Sequence, residues 1–299
     1  PLIKSDIKIK KTIISLKELD IIQLNKLSAI IKPSNIKSIL NNKIKEGKLV
    51  SDIEIFFTDD GRLNDFIAKG KIIGLEAELF NGLKLTKTNL GFFADKEDIL
   101  FKNIFGFIGE TKISDGDIKL NLQNGINISS NFNSKFDYDE NSLKKFPKVI
   151  NKINFINNIK KVKADLNNII FIELDNTYKI KNYNYKISGK LQKGEIKLIK
   201  KIKNNFINEE IKKIYFSDLQ VSSSFKPKSI NFKGKGNYSL NKVNFYKIDF
   251  ENNSKNDQIK INLNFNFGNN FKLNLINYTK PDNSIANVVV SLGKKNKDI

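Results

Sequence analysis

Apolar and polar residues alternate along most of this chain, and that period of two constrains the fold more than any other feature. Over residues 258–278, Ile259, Ile261, Leu263, Phe265 and Phe267 alternate with Lys260, Asn262, Asn264 and Asn266. Gly268, Asn269 and Asn270 turn the chain, and Phe271, Leu273 and Leu275 resume the pattern. Successive side chains of a β-strand point to opposite faces, so such a segment has one oily and one wet face. The oily face has to be buried against another layer, of protein or of lipid.

The same rhythm recurs from residue 49 onward. Ile53, Ile55 and Phe57 make a strand, Asp59-Asp60-Gly61 makes a hairpin turn, and residues 66–73 return. Further strands are expected at 77–80, 83–90, 91–94, 99–107 and 111–113, each bounded by Gly, Asn or Asp. Residues 117–122, with Ile118, Leu120 and Leu122, pair with 125–136 across Gln123-Asn124; Ile126, Ile128, Phe132 and Phe136 alternate along that partner. Later strands are expected at 164–174, 178–191, 195–202, 211–225, 230–240, 243–250, 258–267, 270–278 and 285–292. A strand and turn every 8–12 residues or so is the pace of an antiparallel meander. Gly70, Gly189, Gly234 and Gly236 sit inside the pattern and read as bulges or bends that curve a long sheet.

Three helices are expected beside the strands. Ser15 and Glu18 form a capping box for a helix carrying Leu16, Leu19, Leu24, Leu27, Ile30 and Ile31, stopped by Pro33. A second starts near Ser34, presents Ile36, Ile39, Leu40 and Ile44, and ends at Gly47 as its cap. A third covers 139–161, with Leu143, Phe146, Val149, Ile150, Ile153, Ile156 and Ile159 near helical spacing. The fold class is therefore mainly β: a long curved antiparallel sheet forming an elongated groove, with a few short helices near the N-terminus and in mid-chain. Its divisions are 1–138, a helical insert at 139–163, and 164–299.

Composition narrows the chemistry. The chain has no Cys and no His, which removes thiol chemistry, Cys-ligated metals, the Ser-His-Asp triad and the commonest metal ligand. No clustered acidic motif supports carboxylate-only catalysis, so no catalytic residue, metal or cofactor is expected, and the chain does not read as an enzyme. Asp59, Asp60, Asp115 and Asp117 fall at turns, where Asp is favoured by local hydrogen bonding. Lys233-Gly234-Lys235-Gly236 lacks the spacing and following helix of a phosphate loop.

The net charge of +20 points toward nucleic acid, yet Arg62 is the sole Arg among 52 basic residues. Surfaces that read bases and clamp phosphates favour the bidentate guanidinium, so no nucleic-acid partner is expected. Attraction of the lysines to anionic lipid headgroups stays open. There is no run of about 18 apolar residues, hence no expected membrane-spanning helix. A chain that begins at Pro1 and holds no Met reads as an excised or processed segment.

Between Leu24 and Leu122 the order of elements resembles a known family. A helix with Leu27 and Pro33 leads to the run Asn42-Lys43-Ile44-Lys45-Glu46-Gly47-Lys48-Leu49, then the hairpin Asp59-Asp60-Gly61-Arg62-Leu63. The spaced motifs Phe66, Ala68, Gly70 and Leu83, Leu85, Asn89, Leu90, Phe92 follow. This looks like the AsmA-like superfamily, closest to its YhdP-like branch, with TamB-like relatives. Where that family often carries Trp beside its Pro, this chain has Ile30-Ile31-Lys32-Pro33.

The resemblance covers about a third of the chain. It implies a periplasm-facing segment of an inner-membrane-anchored protein in a double-membraned bacterium, the anchors lying outside this chain. It also implies phospholipid acyl chains as partners, shielded by Ile118, Leu120, Leu122, Ile126, Ile128, Phe132, Phe136, Ile259, Ile261, Leu263, Phe265, Phe267, Phe271, Leu273 and Leu275. The alternatives are a sheet that closes on itself as a structural domain, and an envelope domain acting through protein partners.

Overall fold

The structure, a computed structural model, describes residues 9–23, 43–78, 83–123, 125–144, 158–175, 177, 179–204, 207–256, 258–269, 271–273, 276–281 and 284–295. They form one antiparallel sheet of 14 strands that does not close, and a separate sheet of two short strands. In chain order the strands are β1 (Lys11–Asp20), β2 (Ile44–Phe57), β3 (Leu63–Glu78), β4 (Lys84–Ala94), β5 (Asp98–Ile108), β6 (Thr111–Asn121) and β7 (Ile126–Asp139). After helix α1 (Glu140–Lys144) come β8 (Ile159–Leu174), β9 (Ile180–Asn204), β10 (Ile207–Lys226), β11 (Ser229–Ser239), β12 (Tyr246–Lys255) and β13 (Gln258–Phe267). The short strands are β14 (Lys272–Leu273) and β15 (Tyr278–Thr279), and β16 (Ala286–Lys295) ends the series.

Neighbours in sequence are neighbours in the sheet from β1 to β13, and β16 then pairs with β13. The mainly β, antiparallel reading is correct. The alternative of a sheet closing on itself is not, because β1 and β16 are its two end strands. Contacts divide the chain into a first unit, Pro1–Asn133 with Ile170–Lys181, and a second, Ser134–Ile169 with Asn182–Ile299.

The first expected helix is replaced by a strand over its first part. Ser15 is no N-cap: it pairs with Asp52 across β1 and β2 and donates from Oγ to Asp52 Oδ1 at 2.8 Å. Glu18 caps nothing and instead ion-pairs with Lys48 at 3.1 Å. Leu16 and Leu19 sit three apart because β1 bulges between them, so a bulged strand mimics one step of helical spacing. Gly47 is no helix cap either but a residue of β2 at φ 145°, its carbonyl accepting the Ile21 N–H at 2.9 Å. Residues 24–42, which hold the rest of both expected helices, lie outside the described residues.

The mid-chain helix shrinks to α1, capped by Asp139 Oδ1 accepting the Ser142 N–H at 2.8 Å. Ile159, Lys160 and Lys161 belong to β8, and residues 145–157 lie outside the described residues. Several expected strand breaks are single strands. Residues 84–94 form β4, 111–121 form β6, and 180–204 form β9.

The first unit is built around a stepped row of one-residue bulges. The register slips by one at Gly74 in β3, Lys87 in β4, Asn103 in β5 and Asp115 in β6. Each has positive φ, at 62°, 49°, 53° and 52° respectively. The bulge lets residues three apart share a face, and the following residue is buried: Leu75 is 8% exposed, Thr88 0% and Ile104 8%. Neighbouring side chains satisfy freed backbone donors. Asn89 Oδ1 accepts the Gly74 N–H at 2.9 Å, and Asp117 Oδ1 accepts the Asn103 N–H at 3.3 Å.

Candidate functional site

Register fixes which side chains of the first unit meet. Leu49 on β2 lies opposite Ile72 on β3, which lies opposite Leu90 on β4. Phe92 pairs with Phe101 on β5, and Phe101 with Ile118 on β6. Gly70 makes room on this face, since a Cβ there would come within 3.0 Å of the Phe92 ring. These rows line a cavity of about 560 Å³ that reaches Ser130 and Phe132 on β7.

Among the described residues, Thr88 and Ser130 bring the only side-chain oxygens to that lining, and the Thr88 hydroxyl is spent on Thr86 O at 3.1 Å. No carboxylate, amine or phenol of the described residues lines it. Such a lining suits apolar matter, whose transfer from water is favoured by about 0.8 kcal/mol per methylene. Among the described residues no group of three or more acidic side chains could hold a metal ion. Among them, too, no helix is long and apolar enough to cross a membrane.

The residues expected to line a groove are distributed as follows. Ile118 and Phe132 line the cavity, and Leu120 pairs with Ile99, another lining residue. Ile126 and Ile128 are half-buried on β7, at even spacing from Phe132 along the strand. Leu122 lies beyond the end of β6, 38% exposed, its N–H donating to Glu97 O at 2.8 Å. Sequence reasoning missed Leu75, Leu85, Ile104 and Ile113, whose signal was the three-residue step at each bulge.

In the second unit, Phe136 stacks on Tyr138 with ring centroids 5.1 Å apart. Ile259, Ile261, Leu263, Phe265 and Phe267 share one face of β13. Phe265 lies opposite Ile248 on one side and Val288 on the other; Leu263 lies opposite Phe250 and Val290. The next strand in the sheet is β16, so Phe271 and Leu273 do not continue that face on a neighbouring strand as expected. Phe271 packs between Phe267 and Tyr278 at 6.0 Å from each, Leu273 pairs with Tyr278 in the small sheet, and Leu275 lies outside the described residues. A two-strand excursion between β13 and β16 breaks the simple meander.

The second unit's sheet also carries polar side chains in its interior. Asn168, 3% exposed, donates from Nδ2 to Ser134 Oγ at 2.8 Å and accepts from the Tyr185 hydroxyl at 2.8 Å. Tyr238 donates to Asn266 O at 2.8 Å and packs edge-on to Phe265. Burial raises the pKa of both phenols, and the nearby Tyr246 adds to the effect at Tyr238.

Compared with known proteins, the chain matches no family model, no curated protein and no solved structure.

Proposed function

We propose that the chain shields lipid acyl chains against the apolar face of its sheet and does no chemistry on them, as a periplasmic stretch of an AsmA-like protein supporting phospholipid transport between two membranes. The observation that carries this is the cavity between β2 and β7, about 560 Å³ and walled by aliphatic and aromatic side chains with no titratable group among the described residues. A void that size has no reason to hold water, which needs two to four polar partners. An acyl chain satisfies it through non-directional contact alone. In this reading the membrane anchors belong to other parts of the protein, and phospholipid is the partner.

The test is site-specific photo-crosslinking in cells, with the reactive residue at Phe101 or Phe265 and, as opposite-face controls, at Asn131 on β7 or Asn264 on β13. Phospholipid adducts are expected at the two phenylalanine positions and not at the controls. Equal labelling of both faces, or none at Phe101 and Phe265, sinks the reading.

A further inference from the structure

On the face opposite the cavity, the first unit has a second depression, of about 530 Å³. Gly91 forms its floor. Pairing sets Lys71 on β3 to one side of Gly91 and Lys102 on β5 to the other. The adjoining row holds Lys69, Phe93 and Leu100. Strands lie roughly 4.8 Å apart, so the Lys71 and Lys102 backbones are about 10 Å apart with no side chain between them. Flexible four-carbon stems let both ammonium groups lean over the gap toward one anion.

The gap is not forced by packing. A Cβ at Gly91 would meet only backbone oxygens, at 3.8 Å, and its φ is not left-handed. Gly70, by contrast, is needed, since a Cβ there would come within 2.9 Å of the Ser51 backbone. Charge points the same way. Nearby Lys11, Lys48 and Lys119 are ion-paired with Glu54, Glu18 and Asp98, whereas Lys69, Lys71 and Lys102 form no ion pair among the described residues. Among those residues Asp52 is the one carboxylate lining the depression; it sits across from Lys69 and accepts the Ser15 hydroxyl. Three ammonium groups against one carboxylate leave a surplus suited to a phosphate dianion. Phe93, 38% exposed, and Leu100 supply an apolar rim.

We propose that this depression binds a phosphate ester, its phosphate between Lys71 and Lys102 and its apolar part against Phe93 and Leu100. The ester can be a lipid headgroup or a soluble metabolite, and two probes separate these. The first is flotation of the 299-residue chain with phosphatidylcholine vesicles containing phosphatidic acid, with pure phosphatidylcholine for reference. The second is glycerol phosphate, followed by the shift of the Gly91 amide resonance.

Three variants report on the seat. Gly91→Leu fills it without changing charge. The pair Lys71→Gln with Lys102→Gln removes its cations, and Lys193→Gln with Lys197→Gln removes the same charge from the second unit. Both seat variants should bind about tenfold more weakly, as expected for losing a charge-assisted contact, while the second-unit pair binds like the parent. Binding of vesicles alone assigns the seat to a lipid headgroup, and binding of glycerol phosphate assigns it to a soluble ester. Equal weakening in all variants, a parent that binds neither probe, or a Gly91→Leu chain that binds normally overturns the proposal. The cavity lies on the other face, so crosslinking at Phe101 stays intact whichever way this turns out.

Discussion

Thr88 stands directly against Gly106: a Cβ on the glycine would lie 2.8 Å from the threonine Cβ and 2.9 Å from its Cα. Thr88 is fully buried at its bulge, so neither residue has room to yield. Gly106→Ala should lower stability by about 1–3 kcal/mol, the usual range for overpacking. Urea unfolding should show a lower midpoint with an unchanged slope. Adding Thr88→Ala relieves part of the clash, so the double variant should lose less than the two single losses summed.

The bulge row predicts opposite signs at neighbouring positions. At Gly74, with φ 62°, a Cβ would meet nothing within 4 Å, so Gly74→Ala is purely a backbone test and should cost about 1 kcal/mol. Lys87 holds φ 49° with a side chain that makes no hydrogen bond or ion pair among the described residues, and Lys87→Gly should be neutral or stabilising by up to about 1 kcal/mol. Melting temperatures of the two variants against the parent decide it; a destabilised Lys87→Gly contradicts the reading of that residue as strained.

That row also explains what could be read from the sequence. β13 runs without a bulge against both neighbours, and its alternation marks Gln258–Phe267 at both ends. β6 is bulged at Asp115, so Ile113 and Ile118 fall out of phase and one strand reads as two. At Leu16 and Leu19 the same device passes for a turn of helix. Period two survives only between bulges, and a bulge changes the phase without leaving a residue type that marks it: Gly, Lys, Asn and Asp each serve here. The cavity was half legible for this reason, since Ile118 and Phe132 lie on regular stretches whereas Leu75 and Ile104 follow bulges. The excursion of β14 and β15 could not be read, because Phe271 and Leu273 keep the alternation while leaving the main sheet.

Stability should fall in alkali through the buried phenols. The folded state raises the pKa of Tyr185 and Tyr238 above the ordinary value of 10.0, so it favours their neutral forms. Their contribution is complete below the unfolded pKa. It is lost as pH rises past about 10, where the unfolded chain ionises first. Tyr238→Phe removes one such group, and its melting temperature should decline less steeply than the parent's across that range. Parallel declines would show that the Tyr238 phenol does not contribute.

Asn252 lies between Phe232 on β11 and Ile261 on β13, on the apolar side of β12. Its Oδ1 is buried with no hydrogen-bond donor in reach among the described residues. An acceptor stripped of water and given no partner costs about 1–3 kcal/mol, and a side chain of similar shape without the polar atoms avoids that cost. Asn252→Leu should therefore stabilise the chain by about 1 kcal/mol, read from the urea midpoint. The same substitution extends the apolar row of Phe250, Leu263 and Phe265, so phospholipid crosslinking at Phe265 should persist or rise if that face holds acyl chains. A destabilised Asn252→Leu would mean that the amide has work the fold depends on. A stabilised variant that loses crosslinking at Phe265 would place a polar contact with the lipid at Asn252.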